Sequence, residues 1–196
     1  MTSDNEARDR ALYKYPDSNT LRNKLYILDP DALEHAEAEF ALLRIEQGVP
    51  TGNFDLKHLQ DIHRHIFQDV YEWACYPRQV DFHKTDWFLP HGRIQMGMGD
   101  VHARLVKKEY LQGLSREEFA AEAGKIIGDV NHAHPFREGN GRTQLQYLKQ
   151  LSERAGYAID LTCIERESWI NASIKSARGS DAELSRCILN AIRSRR

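Results

Sequence analysis

Between residues 115 and 155, two apolar runs at helical spacing are separated by a nine-residue polar break. The first run holds Phe119, Ala123, Ile126, Ile127 and Val130, and the second holds Leu145, Leu148 and Leu151. Apolar residues recurring every three to four positions share one helix face, so each run predicts a helix with a buried side. Ser115-Arg-Glu-Glu118 starts the first helix as a capping box, the serine oxygen meeting an amide and the glutamate returning the bond. Pro135 stops it, because the residue before a proline is pushed out of the helical region. Gly156 marks the end of the second, as glycine often does just past a last turn. The break itself reads His134-Pro-Phe-Arg-Glu-Gly-Asn-Gly-Arg142. The rest of the chain is expected to hold this turn in place and cover it.

The break carries chemistry. His134, with a reference pKa of about 6.5, is substantially neutral near pH 7 and fit to take a proton from a hydroxyl. Glu138 can bind Mg²⁺, which takes one or two protein carboxylates and completes its shell with phosphate oxygens. Gly139 and Gly141 permit close backbone approach, and Asn140 tolerates unusual dihedrals and can donate from its amide. Arg142, at the first turn of the new helix, can grip a phosphate as a fork. A turn opening a helix also leaves backbone N–H groups unpaired, which makes a cradle for an anion. Together these residues describe metal-assisted transfer of a phosphate-containing group to a hydroxyl. A second reading stays open, because Gly-Asn-Gly turns between helices are commonplace and the His, Glu and Arg could be structural. The glycine-rich P-loop is not the pattern, since no G-x-x-x-x-G-K-S/T occurs.

Elsewhere the chain reads as mostly helical. Residues 1–20 are polar and predict a loose N-terminal arm, followed by a single domain over 21–196. Thr20 to Tyr26 suggests a short helix. Asp29-Pro30 starts a longer one that runs to Gln47. Asp55 caps a helix whose apolar face is Leu56, Leu59, Ile62 and Ile66. His58, His63 and His65 lie within it without metal-site spacing and read as surface or partly packed residues. The aromatic stretch Tyr71 to Pro77 packs the core. Residues 79–90, with Val80, Phe82 and Phe88 alternating with polar groups, give the chain's one hairpin signal. A hairpin alone is marginal in water, so this one suggests a flap lying over a site. Asp100 to Leu111 and Glu165 to Lys175 predict further helices, and Asp181 caps the last. The fold class is mainly α, a helical bundle with one β-hairpin flap over the active-site loop.

A formal net charge of −2 gives no global field toward nucleic acid or membrane, so neither is an expected partner. Three cysteines without close pairing indicate neither a disulfide framework nor a zinc site. No signal-type segment or membrane span is evident, which suggests a cytoplasmic location.

The break resembles the signature of the Fic family, H-x-F-x-D/E-G-N-G-R-x-x-R. Tyr15-Pro16 with Leu21-Arg-Asn23, the helix over Leu56–Phe67, Tyr71-Glu-Trp-Ala74, the hairpin and Ala155-Gly-Tyr157 resemble the short bacterial toxins of that family. The resemblance implies a protein AMP-transferase using ATP and Mg²⁺ to modify a Ser, Thr or Tyr hydroxyl. By it, His134 is the general base, Phe136 anchors the loop and Glu138 coordinates Mg²⁺. Gly139, Asn140, Gly141 and Arg142 form the phosphate nest, with Arg137 among the nucleotide-binding candidates. It also places Lys84 and Thr85 of the flap near the nucleotide, and Trp169 and Ile170 on its adenine side. The flap would pair with a target segment by strand addition. Type II topoisomerase subunits are the target by analogy only.

Two departures stand out. The family's second arginine falls at Leu145, so the γ-phosphate contact it makes in relatives is missing here unless Arg137, Lys149 or Arg178 replaces it. The family's inhibitory pattern S/T-x-x-x-E-G/N has only a near match, Thr2 with Glu6, which Ala7 breaks. A small separate antitoxin carrying the inhibitory glutamate helix is the expected partner. A kinase or other transferase on the same fold, and a non-catalytic binding module, are the alternatives.

Overall fold

A stripe of side chains closed to solvent runs along one helix, Arg116–Ala133 (α5), and four others are built on it. Phe119, Ala123, Ile127 and Val130 are each 0% exposed. The computed structural model describes residues 3–81 and 88–193. Before α5 come α1 (Ser3–Tyr13), α2 (Pro30–Glu46), α3 (Leu56–Phe67) and α4 (Ile94–Lys107); after it come α6 (Asn140–Arg154), α7 (Arg166–Ala177) and α8 (Ala182–Ala191). Helices α4, α6, α7 and α8 all pack on α5, while α3 joins α2 to α6. The approach of α8 needs a glycine: a Cβ on Gly124 would sit 2.3 Å from the Ser185 hydroxyl and 2.9 Å from its backbone nitrogen.

The expected helix starts are present. Asp29 accepts from the Ala32 amide at 2.8 Å with Pro30 at the first helical position, and Asp55 accepts from the His58 amide at 2.8 Å. The helix expected from Asp100 begins earlier, at Ile94, and ends at Lys107. Asp181 stands at the start of α8 but does not cap it with its side chain, which accepts from the Ser176 hydroxyl at 2.6 Å instead.

Two expectations give way. The N-terminal segment is not a loose arm: residues 3–13 form α1, and its Asp9 and Tyr13 are buried. Thr20 to Tyr26 is not helical, because the Asn23 side chain takes over the local backbone. It accepts from the Ile27 amide at 3.0 Å and donates to the carbonyls of Leu21 and Ile27, closing a turn that competes with helix. The flap hairpin falls largely outside the described residues, which omit 82–87. Among those described, the only β pairings are the isolated bridges Lys14 with Leu21 and Ile159 with Ile192.

Candidate active site

The loop joining α5 to α6 rests on the C-terminal half of α3. His63 accepts the Cys75 amide at Nδ1, 2.9 Å away, which puts its proton on Nε2. That nitrogen donates to the Glu138 carbonyl at 3.0 Å, and the ring stacks on Phe136 with centroids 3.9 Å apart. Burial pushes the pKa of His63 down to about 3, so the ring stays neutral and its tautomer is fixed by these two bonds. One turn on, the Phe67 ring lies against Gly139: a Cβ there would be 2.4 Å from its edge, and the residue's φ of +80° is in the left-handed region. Only glycine meets both demands without strain.

The loop closes on itself through Asn140. Its Oδ1 accepts the Phe136 amide at 3.0 Å and its Nδ2 donates to the Phe136 carbonyl at 2.7 Å. The sequence suggested an amide available to a ligand; both ends are instead engaged in holding the turn. Thr143 donates its hydroxyl to the Gly139 carbonyl at 2.9 Å. The Gly139 amide donates to the partly buried Glu138 carboxylate at 2.9 Å. With Gly139 at its N-cap, α6 has no side-chain cap. The amides of Asn140, Gly141 and Arg142 therefore meet no acceptor among the described residues. Three parallel unpaired donors at the positive end of a 15-residue helix form an anion cradle.

His134 ends α5 in a left-handed conformation, φ 41°, which turns the chain out of the helix. It is 6% exposed, and the Phe88 ring stacks on it with centroids 3.7 Å apart. Nδ1 lies 3.3 Å from the Asn131 carbonyl, a contact that requires the proton on Nδ1 and leaves the lone pair of the neutral ring on Nε2. Its carbonyl accepts from Arg78 Nε at 2.8 Å. The Arg78 guanidinium is wholly buried and also donates to the carbonyls of Ala133, Val80 and Leu89. It thus ties the end of α5 to both ends of the segment read as a flap. Burial lowers its pKa to about 10, still far enough above neutrality to keep it charged.

Arg142 donates to the buried Glu37 of α2, which in turn accepts from the Tyr71 hydroxyl, and its guanidinium lies 4.8 Å from the Phe67 ring centre. Arg137 forks the Asp9 carboxylate of α1 at 2.6 and 3.0 Å. Leu145, at the position of the second motif arginine, packs against the core edge. Trp169 is buried in the core and Ile170 is 47% exposed, so these neighbours on α7 do not share one surface. Lys84 and Thr85 lie outside the described residues. The structure thus brings His134, Glu138, Gly139, Asn140, Gly141 and Arg142 together, and adds Glu37, His63, Phe67 and Arg78, which sequence patterning did not single out for the site.

No cluster of three or more His, Cys, Asp or Glu suited to a metal ion occurs among the described residues. Glu138 is the one carboxylate in the loop, a donor set that suits an ion shared with phosphate oxygens rather than one caged by protein. No helix among the described residues is long and apolar enough to cross a membrane.

Residues 53–151 match the model of the Fic/DOC family. The chain is 39% identical over 180 residues to the protein adenylyltransferase VbhT of Bartonella schoenbuchensis, covering 90% of this chain and 38% of that protein. It is 37% identical over 172 residues to y4lH of Sinorhizobium fredii, named a probable protein adenylyltransferase, covering 87% of this chain and 90% of that one. The N-terminal Fic domain of a VirB-translocated Bep effector protein from Bartonella quintana, solved with bound ADP, superposes with a TM-score of 0.84 at 32% identity, covering 92% of this chain and 94% of that domain.

Proposed function

Because the chain belongs to the Fic/DOC family, we infer that it is a protein adenylyltransferase, moving AMP from ATP to a Ser, Thr or Tyr hydroxyl of another protein. The observation that carries this reading is the pairing, within one nine-residue loop, of an imidazole that ends α5 with three helix-start amides that meet no acceptor among the described residues. The amides and Arg142 hold the phosphate oxygens and the charge that grows on them during transfer. The target hydroxyl attacks the α-phosphorus, its proton passes to Nε2 of His134, and the bond to pyrophosphate breaks. Glu138 would hold Mg²⁺, which when bound neutralises phosphate charge. Asn140 and His63 keep the backbone shaped, and neither needs to touch substrate.

The same reading places the protein in the cytoplasm, the target strand along residues 79–90, and restraint in a small separate antitoxin. Type II topoisomerase subunits are the first targets to try. The decisive experiment incubates the chain and Mg²⁺ with bacterial lysate and ATP labelled at the α- or γ-phosphate. Label from the α position on a protein band, lost in His134→Ala, supports the reading. Label from the γ position makes the protein a kinase, and none from either makes it a binding module.

A further inference from the structure

Arg142 reaches the loop already held. Its Nη2 donates to Oε1 of Glu37, a residue of α2 that lies 105 positions earlier and whose side chain is only 7% exposed. The other carboxylate oxygen accepts from the hydroxyl of Tyr71, itself 3% exposed and stacked on Trp73 with ring centres 4.2 Å apart. Both oxygens of a buried anion are thus matched. A buried carboxylate that loses a partner is strongly destabilised, which favours keeping both bonds. On its own side, Arg142 lies over the Phe67 ring and keeps 32% of its side chain exposed. Its Nε and Nη1 hold no partner among the described residues. The guanidinium is fixed from behind by Glu37 and from below by Phe67, with unused donors on the remaining side.

We propose that Glu37 is a positioning residue for phosphate recognition, with Tyr71 fixing Glu37 and Glu37 fixing the Arg142 fork before the nucleotide arrives. An unheld arginine gives up rotamer freedom when it grips a ligand, and a held one has given it up on folding. Paired with Glu37, the guanidinium gives up part of its net attraction for phosphate, and what it offers in return is a directional donor set in place of a loose cation. Tyr71 remains the donor throughout, since burial first and then Glu37 push its ionisation far up. The proposal rests on the nucleotide-binding reading of the site.

The test compares ATP and adenosine binding by calorimetry in the full chain. Glu37→Gln keeps the shape and removes the charge; it should weaken ATP about three- to tenfold and leave adenosine unchanged. In an Arg142→Ala background the same substitution should add nothing, because the residue it positions is gone. Tyr71→Phe, which leaves the carboxylate in place, should show a smaller loss in the same sense and stands in if Glu37→Gln does not fold. Unchanged or tighter ATP binding in Glu37→Gln, or an equal loss for adenosine, overturns the proposal. A wild-type chain that binds no ATP overturns both this proposal and the reading beneath it, whereas wild-type binding that Glu37→Gln and Tyr71→Phe leave untouched overturns this one alone.

Discussion

Helices α5 and α6 begin in opposite ways. At α5 the Ser115 oxygen accepts the Glu118 amide, and Glu118 accepts the Ser115 amide at 2.9 Å, so the helix's own side chains pair two of the donors at its start. At α6 a glycine in the left-handed region leads straight into three amides with no acceptor among the described residues. Both helices face the same problem, four orphan N–H groups, and unsatisfied ones are costly when desolvated. One helix gives two of these groups, the Ser115 and Glu118 amides, a side-chain acceptor through its capping box. The other leaves its own open and supports the gap from beneath with α3, which is the arrangement an anionic ligand would complete.

Gly139→Ala tests that support most severely. The new methyl would meet the Phe67 ring at 2.4 Å with φ at +80°, so loop and ring cannot both keep their places. Expected is a loss of nucleotide affinity of about a hundredfold, from strain of 1–3 kcal/mol plus displaced amides, read by calorimetry with ATP. A variant that binds ATP as well as the wild type would mean that the loop does not depend on its floor.

Acid separates the two helix starts next. His63 is depressed to about 3 by burial, so unfolding takes up a proton there once the pH drops below its ordinary value of 6.5; its contribution is complete above 6.5 and is lost as pH falls. Glu118 is held below its ordinary value by bonds from Ser115, and that contribution is present above about 4.5 and lost below it. Lowering the pH from 7 to 5 therefore strains the floor under α6 while leaving the α5 cap intact. The burial-depressed His58 adds to the effect in the same direction. Denaturant titrations should show a loss of about 2 kcal/mol over that interval, reduced in His63→Gln, which keeps a donor toward Glu138 and has no titrating ring. An unchanged slope in that variant would remove His63 from the explanation.

What could be seen in the sequence follows from distance along the chain. The capping box and the run from His134 to Arg142 are local patterns, and each lies where its spacing placed it. Their supports come from far away: Glu37 lies 105 positions from Arg142, His63 lies 75 from Glu138, and Arg78 lies 56 from His134. A buried charge bonded to distant carbonyls leaves no periodicity, so Arg78 looks like any surface arginine until the chain is folded. The same blindness made α1 look like an arm. Its order comes from Asp9 pairing with Arg137, 128 positions on, and from Tyr13 accepting the Gln79 amide, rather than from an apolar stripe. Asn140 failed differently: its local role was visible in kind, and only the folded turn decides that its amide faces inward.

Removing the α5 cap should cost stability and nothing else. Ser115→Ala deletes an exposed cap far in function from the loop, and thermal unfolding should report about 1 kcal/mol lost with label transfer unchanged. Impaired transfer at matched folding would mean that the two helix starts are coupled.

Gly141→Ala should give the smallest effect, and its sign is the informative part. A Cβ there meets nothing within 4 Å, and the residue lies inside α6, where alanine is the better helix former. Stability should rise by up to about 1 kcal/mol. The same methyl enters the open space beside the unpaired amides, so ATP affinity should fall a few-fold in the variant that folds better. An ordinary helix start, like that of α5, would gain stability with no binding to lose. A Gly141→Ala protein that is both more stable and unimpaired toward ATP would place α6 in that ordinary class, and the open amides would then need another explanation.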